Sequence, residues 1–325
     1  MNSPLVSIIV PCFNAARWLS TALDAILAQT YRPIEIIAVD DGSTDSTSSI
    51  LVDYQSRHPL IIHLLSQANK GQSAAANRGL AHAKGEFIKF FDADDWLAPS
   101  AVTAQVTMLI SRPKHLAYGQ WGRFFTTPAE AQFIPHPGWH DSDAPIDWVC
   151  ETWADAEPMY QCGLWLIPRP ILEKSGGWNE RLSLINDFEF FTRLVLASDG
   201  IVHTPEARLY YRSGIQGSLS ARKSRLAWES ACLSTHLACE HLLSRDNSPR
   251  TRRLAADACQ NLVLSIYPGH PDLVADLLSE VQRLGGSRRL PDGGRIFRLL
   301  ARTLGWRTAL RLRAILSRTR RKHRL

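Results

Sequence analysis

Residues 90–97 read FFDADDWL, so Asp92, Asp94 and Asp95 fall within four positions directly after an apolar run. Charged aspartates are rarely buried without a partner, and core packing gives no reason for three of them here. Such a cluster is suited to hold something positive. The alternative is a turn whose acidic residues cap the helix beginning near Pro99-Ser100. Three other stretches carry similar polar chemistry: Pro11-Cys12-Phe13-Asn14, Asp40-Asp41-Gly42-Ser43 and Asn69-Lys70-Gly71. Asp, Asn, Gly and Ser are also ordinary turn residues, so each stretch alone is a weak signal. Their meaning depends on whether the fold brings them together.

The elements around them predict that it does. LVSIIV (5–10), IEIIAV (34–39), LIIHLLS (60–66) and EFIKFF (86–91) are short apolar, β-branched or aromatic runs of the kind that form strands buried on both faces. Between them, the pairs Trp18/Leu19, Ala22/Leu23 and Ile26/Leu27 recur on helical spacing, as do Ile50, Leu51 and Tyr54, and an alanine-rich stretch follows Gly71. Strands separated by helices of this length predict an α/β fold, a mostly parallel sheet with flanking helices. Ligands of such sheets bind outside the carboxyl ends of the strands. The four polar stretches stand at those ends, so they should share one rim.

Several familiar sites are excluded by sequence. The first βα turn lacks GxGxxG, no GxxxxGK[ST] occurs, and HExxH is absent. GQSAA (71–75) faintly resembles a nucleophile elbow built on Ser73, but polar loop residues separate it from the third strand.

Taken in order, VSIIVPCFN, VDDGSTDST, NKGQSAAANRG and FFDADD resemble the successive motifs of family 2 glycosyltransferases of GT-A fold, over roughly residues 5 to 215. The resemblance implies a Rossmann-like GT-A domain, taken as residues 1–222, followed by a helical region, residues 223–325. It also implies an inverting, metal-dependent transfer of sugar from a nucleotide-diphosphate donor, a UDP-sugar, to a saccharide or lipid-linked saccharide acceptor in bacterial cell-surface polysaccharide or glycolipid synthesis. Breaking the sugar-phosphate bond leaves negative charge on the diphosphate, which Mg2+ or Mn2+ held by hard carboxylate oxygens would stabilise. On this resemblance Asp94 and Asp95 stand nearest the metal and Asp92 nearer the ribose. Asp41 receives a hydrogen bond from the base, Pro11 and Phe13 border that base, and Asn69, Gly71 and Asn77 line the nucleotide loop.

The resemblance also makes Asp187, at the start of the helical stripe Phe188, Phe191, Leu194 and Val195, the general base on the acceptor hydroxyl. An aspartate in a first helical turn also complements the helix dipole, which is the structural alternative. Three positions depart from the family pattern: Ala76 replaces an arginine, Asn186 replaces a glutamate, and Gly214 stands near an expected histidine. Arg212 is then the local candidate for a diphosphate contact, with a surface salt bridge as the alternative. Trp178 in GGWNE is a candidate for stacking on a sugar ring, or for plain packing. The departures also leave room for a non-catalytic, sugar-nucleotide-binding scaffold.

With 325 residues, 45% of them hydrophobic, the chain can bury a large core, and six scattered cysteines without a CxxC pair read as reduced thiols. No apolar run approaches a membrane span and no signal-peptide pattern opens the chain, so a cytoplasmic location is expected. Charge is uneven. Residues 283–325 hold 14 Lys and Arg against Asp292 alone, while the preceding 282 residues hold 23 basic and 30 acidic. After three helical patterns, the stretch beginning RIFRLLARTLGW mixes leucines with arginines. It reads either as a basic amphipathic helix on an anionic membrane surface, peripheral on the inner face, or as a solvated helix packed on its neighbours. No nucleic-acid partner is expected.

Overall fold

The computed structural model describes residues 3–154, 159–215 and 223–322, with side chains through Leu316. Four strands alternate with helices as the hydrophobic pattern predicts: β1 (Val6–Cys12), α1 (Leu19–Leu27), β2 (Ile34–Asp40), α2 (Thr47–Arg57), β3 (Ile62–Ser66), α3 (Gln72–His82) and β4 (Phe87–Phe90). Every residue of β2 is buried, and Val6, Ile8, Ile9 and Val10 of β1 have no exposed surface. Covering both faces with helices is what a continuous β-branched run requires. The pairings β1–β2, β1–β4 and β2–β3 are all parallel.

The second half of the sheet is mixed. After β4 come β5 (Trp96–Leu97), α4 (Ala101–Ser111), β6 (His115–Phe124), α5 (Pro145–Ala154), β7 (Trp165–Pro168), α6 (Arg169–Ser175), α7 (Asn186–Ala197) and β8 (Gly200–Arg212). The strand order is β3-β2-β1-β4-β7-β6-β8-β5. β7 is antiparallel to both β4 and β6, β5 is antiparallel to β8, and β6 and β8 run parallel. Parallel pairs therefore keep only a narrow majority.

The two halves are joined by polar bonds as well as by apolar packing. Lys89 of β4 is fully buried, and its ammonium donates to Gln105 Oε1 of α4 (3.0 Å) and to the Trp165 carbonyl of β7 (3.1 Å). Gln105 in turn donates to the Leu164 carbonyl (2.8 Å). Burial pushes the Lys89 pKa down to about 7. These bonds fix β4 laterally, immediately below the turn that carries the three aspartates.

Five helices follow: α8 (Arg225–Arg245), α9 (Pro249–Ile266), α10 (Pro271–Arg283), α11 (Arg295–Thr303) and α12 (Trp306–Lys322). Ser224 and Ser248 cap the first two by accepting from Ala227 N and Thr251 N. The basic amphipathic stretch is two helices rather than one, because Gly305 adopts φ +81°, a left-handed conformation that ends α11. Among the described residues no helix is long and apolar enough to cross a membrane. The expected domain boundary at 222/223 adjoins residues 216–222, which lie outside the described residues.

Gly119 in β6 lies at the register shift between Tyr118 and Gln120 in the β6–β8 pairing. A Cβ there would sit 2.2 Å from the Ala207 carbonyl oxygen. Gly119→Ala is expected to lower the unfolding free energy by about 1–3 kcal/mol, the usual cost of overpacking, seen as a lower urea midpoint at unchanged slope.

Candidate active site

The carboxylate cluster sits in the turn between β4 and β5. Asp92, Asp94 and Asp95 each offer an oxygen, and these lie within 4.8 Å of one another. Two amides hold the outer pair. Gln161 Nε2 bridges Asp92 Oδ2 (3.0 Å) and Asp95 Oδ2 (2.7 Å), and Gln72 Nε2 donates to Asp92 Oδ1 (2.7 Å). Asp95 also accepts from the Arg212 backbone N–H (2.8 Å). Neither amide reaches Asp94.

Burial first, then the negative charge of Asp92, pushes the Asp94 pKa up to about 7. Asp95 is raised well above the usual carboxylate range by burial and by both neighbouring aspartates, and Asp92 is raised by burial. Three carboxylates so close cannot all ionise without added positive charge. The donor set, hard oxygens with no thiol or imidazole among them, fits Mg2+ or Mn2+.

Arg212 supplies the neighbouring positive charge. Its guanidinium lies 3.9 Å from the Trp18 ring centre and 4.5 Å from that of Phe124, and Nε donates to the Asp94 carbonyl (2.8 Å). Arg17 covers Trp18 as well, at 4.4 Å. Among the described residues Arg212 Nη1 is buried without a hydrogen-bond partner. A buried unmet donor costs about 1–3 kcal/mol, so this atom is disposed to take an oxyanion. The side chain is buried against aromatic rings, so the surface salt bridge considered from sequence does not describe it.

The tips of β1, β2 and β3 are tied to one another. Asn14, at φ 48°, donates from its backbone to Ser43 Oγ (3.0 Å), and its Oδ1 accepts from Thr44 N (2.8 Å). Asp41 is buried, and its carboxylate accepts from Gln67 Nε2, Lys70 N and Gly71 N, each at 2.8 Å. Both Asp41 oxygens therefore hold the β3–α3 loop that presents Asn69 and Gly71. Asp40 beside it accepts from Ser43 N (3.0 Å) through Oδ1 and from Gln67 N (2.9 Å) through its backbone carbonyl. Gly42, at φ +74°, permits this approach, since a Cβ there would lie 2.8 Å from Asn69 N. Phe13 is 43% exposed beside half-buried Pro11. Pro11, Phe13, Asp41, Asn69, Gly71 and Asp92 thus share the rim expected of them.

Asn77 is committed elsewhere. Its amide nitrogen donates to the Trp178 carbonyl and Glu180 Oε1, both at 2.9 Å, and its oxygen accepts from Trp178 N (2.8 Å). It pins α3 to the GGWNE segment. Trp178 is buried and stacked on Phe190 with ring centres 3.9 Å apart, so it packs. Ser73 is likewise buried; its hydroxyl donates to the Leu182 carbonyl (2.9 Å) and accepts from Asn186 Nδ2 (3.1 Å). A nucleophilic serine needs an adjacent base, and the hydroxyl is already spent.

Asp187 opens α7 and accepts from Phe188 N (2.9 Å). Burial, then the charge of Asp92, pushes its pKa up to about 6. A cavity of about 10 Å3, room for no more than a water, is lined by Asp92, Gln72, Cys162 and Asn186 and joins this helix start to the carboxylate cluster. The turn before Asp187 is strained, with Ile185 at φ 49°. Helix α8 holds it: Ser230 Oγ accepts from Ser183 N (2.7 Å) and Leu184 N (3.0 Å), and Ser234 Oγ donates to the Ile185 carbonyl (2.6 Å). Gln72, Gln161, Ser230 and Ser234 were not singled out from sequence. Gln161 opens the stretch QCGLWLIP, where an isolated amide has no spacing that marks it.

The model of glycosyl transferase family 2 matches residues 7–175, more than half of the chain. The chain belongs to this family. Among curated relatives of this transferase, an uncharacterised glycosyltransferase of Rickettsia typhi is 40% identical over 198 residues, 60% of each chain. GlyA of Streptococcus pneumoniae is 34% identical over 131 residues, 40% of this chain and 18% of that one. In these two cases, then, the match spans less than two thirds of the relative's own length. Among solved structures, S. aureus TarS 1–349 superposes with TM-score 0.67 at 17% identity, covering 86% of this chain and 80% of that one. The mannosyltransferase PcManGT of Pyrobaculum calidifontis, in complex with GDP-Man and Mn2+, gives 0.53 at 19% identity over 97% and 88%. Both support the GT-A fold read from the sequence.

In this transferase an Asp94 carboxyl with pKa about 7 must lose its proton to bind a cation. Asp95 beside it is also raised, so Mn2+ binding is expected to release one proton or more near pH 6 and to tighten as pH rises through about 7. Calorimetry in two buffers of different ionisation enthalpy reads the released protons directly, and Asp94→Asn should lower their number.

Proposed function

We propose that this transferase moves a sugar from a nucleoside diphosphate donor, a UDP-sugar, to a hydroxyl of a saccharide or lipid-linked saccharide, with inversion at the anomeric carbon. The observation that carries the reading is the placement of the single carboxylate Asp187, with its pKa at about 6, beside the charge of the Asp92–Asp94–Asp95 cluster. A TarS structure in complex with UDP-GlcNAc shares the fold, at TM-score 0.61 and 17% identity.

In this reading Asp94 and Asp95, with Asp92 toward the ribose, hold Mn2+ or Mg2+, which supplies Lewis-acid stabilisation of the diphosphate leaving group. Arg212 Nη1 donates to a phosphate oxygen. Pro11 and Phe13 border the base, and Asp41 shapes the base pocket by holding Lys70 and Gly71. The Asp187 carboxylate accepts the proton of the acceptor hydroxyl as its oxygen attacks the anomeric carbon from the face opposite the diphosphate. One base and one displacement give inversion. Synthesis of bacterial cell-surface polysaccharide or glycolipid is the setting in which such a product is used.

Two experiments test this. Asp94→Ala should weaken UDP binding in the presence of Mn2+, whereas Asp187→Asn should bind UDP as the unchanged protein does and lose about 10²–10⁴-fold in turnover. Metal-dependent UDP binding with no turnover by the unchanged protein, across a screen of UDP-sugars, would favour the scaffold reading. With Asp187 as base, turnover should rise with pH through about 6, since the carboxylate is protonated below that value.

The turn before Asp187 gives a separate prediction. Removing both hydroxyls in Ser230→Ala/Ser234→Ala should lower kcat about tenfold and leave the donor KM within about twofold, because the loss falls on orientation of the base.

A further inference from the structure

We propose that α11 and α12 form a hairpin that docks on an anionic lipid surface, its exposed leucines entering the interface and its arginines pairing with lipid phosphates. From Gly293 to Leu325 the chain has 11 Lys and Arg and no acidic residue. Helical spacing divides each helix into three faces.

In α11 the core-facing side is Phe297, Leu300 and Ala301. Ile296 and Leu299, 78% and 61% exposed, lie together on a second face, and Arg295, Arg298 and Arg302 form a ridge beside them at intervals of three and four. The pattern recurs in α12. Ala309 and Leu310 are buried, Leu312 and Leu316 are exposed four residues apart, and Arg307 and Arg311 stand on the adjoining face. An exposed apolar stripe beside a basic ridge, repeated in two successive helices, is the pattern of helices that lie in a membrane interface. The arginines reach phosphates with their heads while their stems cover apolar surface.

The attachment to the body leaves the leucine stripes and the α11 ridge exposed, while Arg307 and Arg311 of α12 lie over the rings of Trp306 and Tyr267 (5.3 and 5.7 Å) at the edge of that attachment. Trp306 packs edge-on against Tyr267 (5.3 Å between ring centres), and Arg313 lies over Phe297 and donates to the Asp292 carbonyl (2.9 Å). Chemistry selects the occupant. A nucleic acid would pair with the arginines and leave the leucines in water. A second copy docking the same face would set arginine ridge against arginine ridge. An anionic bilayer satisfies both faces, and neither helix is a candidate to cross it.

The test is flotation of the full chain with vesicles of phosphatidylcholine alone and with a quarter phosphatidylglycerol, at low and high salt. Association is expected with the anionic vesicles at low salt, falling at high salt. Leu299→Ser/Leu312→Ser should remove most of it, and Arg298→Gln/Arg302→Gln should weaken it about fivefold per arginine. All four residues are exposed, and far-UV circular dichroism checks that the variants fold. The proposal falls if the unchanged chain stays with the soluble fraction, if the leucine variant floats as well as the original, or if single-stranded RNA binds more tightly than the vesicles and ignores the leucines. Loss of a dimer in the leucine variant, without loss of flotation, would assign the stripe to a second copy and overturn it.

Discussion

The site depends on the mutual repulsion of three carboxylates within 4.8 Å. Among the described residues the Arg212 guanidinium lies nearby, and Gln72 and Gln161 give dipoles, not charge. Burial raises the pKa values of all three aspartates, and the neighbouring carboxylates raise those of Asp94 and Asp95 further. A turn serving only as a helix cap would not gather three acids and then burden each with burial. Positive charge delivered to these oxygens would offset the repulsion, which supports the proposal of a cation site at this rim.

The fold answers the repulsion by bringing restraints from distant parts of the chain. Gln161 arrives just before β7 and Arg212 at the end of β8, so the mixed half of the sheet clamps a turn generated by the parallel half. This explains why β7 runs antiparallel beside β4: the strand enters at the level of the aspartates with Gln161 leading. Lys89 and Gln105 fix the same junction from within, so the turn cannot drift from its clamps without breaking buried hydrogen bonds.

Legibility followed the same division. β1 to β4 were readable because strands buried on both faces must be continuous apolar runs, and their polar ends then located the rim. The long strand β8, Gly200–Arg212, mixes exposed Glu206 and Arg208 with buried positions, and β5 is two residues, so neither makes such a run. Asp92, Asp94, Asp95 and Asp187 stood out by type. Gln72 and Gln161 did not, because an amide is informative only once its partners are known. The double use of Asp41 was hidden for a related reason: a carboxylate before Gly-Ser looks the same whether it faces a ligand or three loop donors. Asn77 was readable as polar, but its bonds run to residues about a hundred positions away.

The helices after β8 belong to the chemistry as well as to the surface. Ile185 holds a left-handed conformation that a β-branched residue resists, and such strain persists only where neighbours over-determine it. Ser230 and Ser234 supply that constraint from α8, while Glu189, one turn past Ile185, accepts from both Arg193 and His241 and binds α7 to α8 a second time. Arg193 continues to the carbonyls of Ser175 and Gly177, so the GGWNE segment is held by the same network. Helix α8 thus fixes the position of Asp187 relative to the cluster. Because α8 also leads into the helices that carry the basic hairpin, one contiguous stretch of chain braces the proposed base and presents the proposed lipid-facing surface.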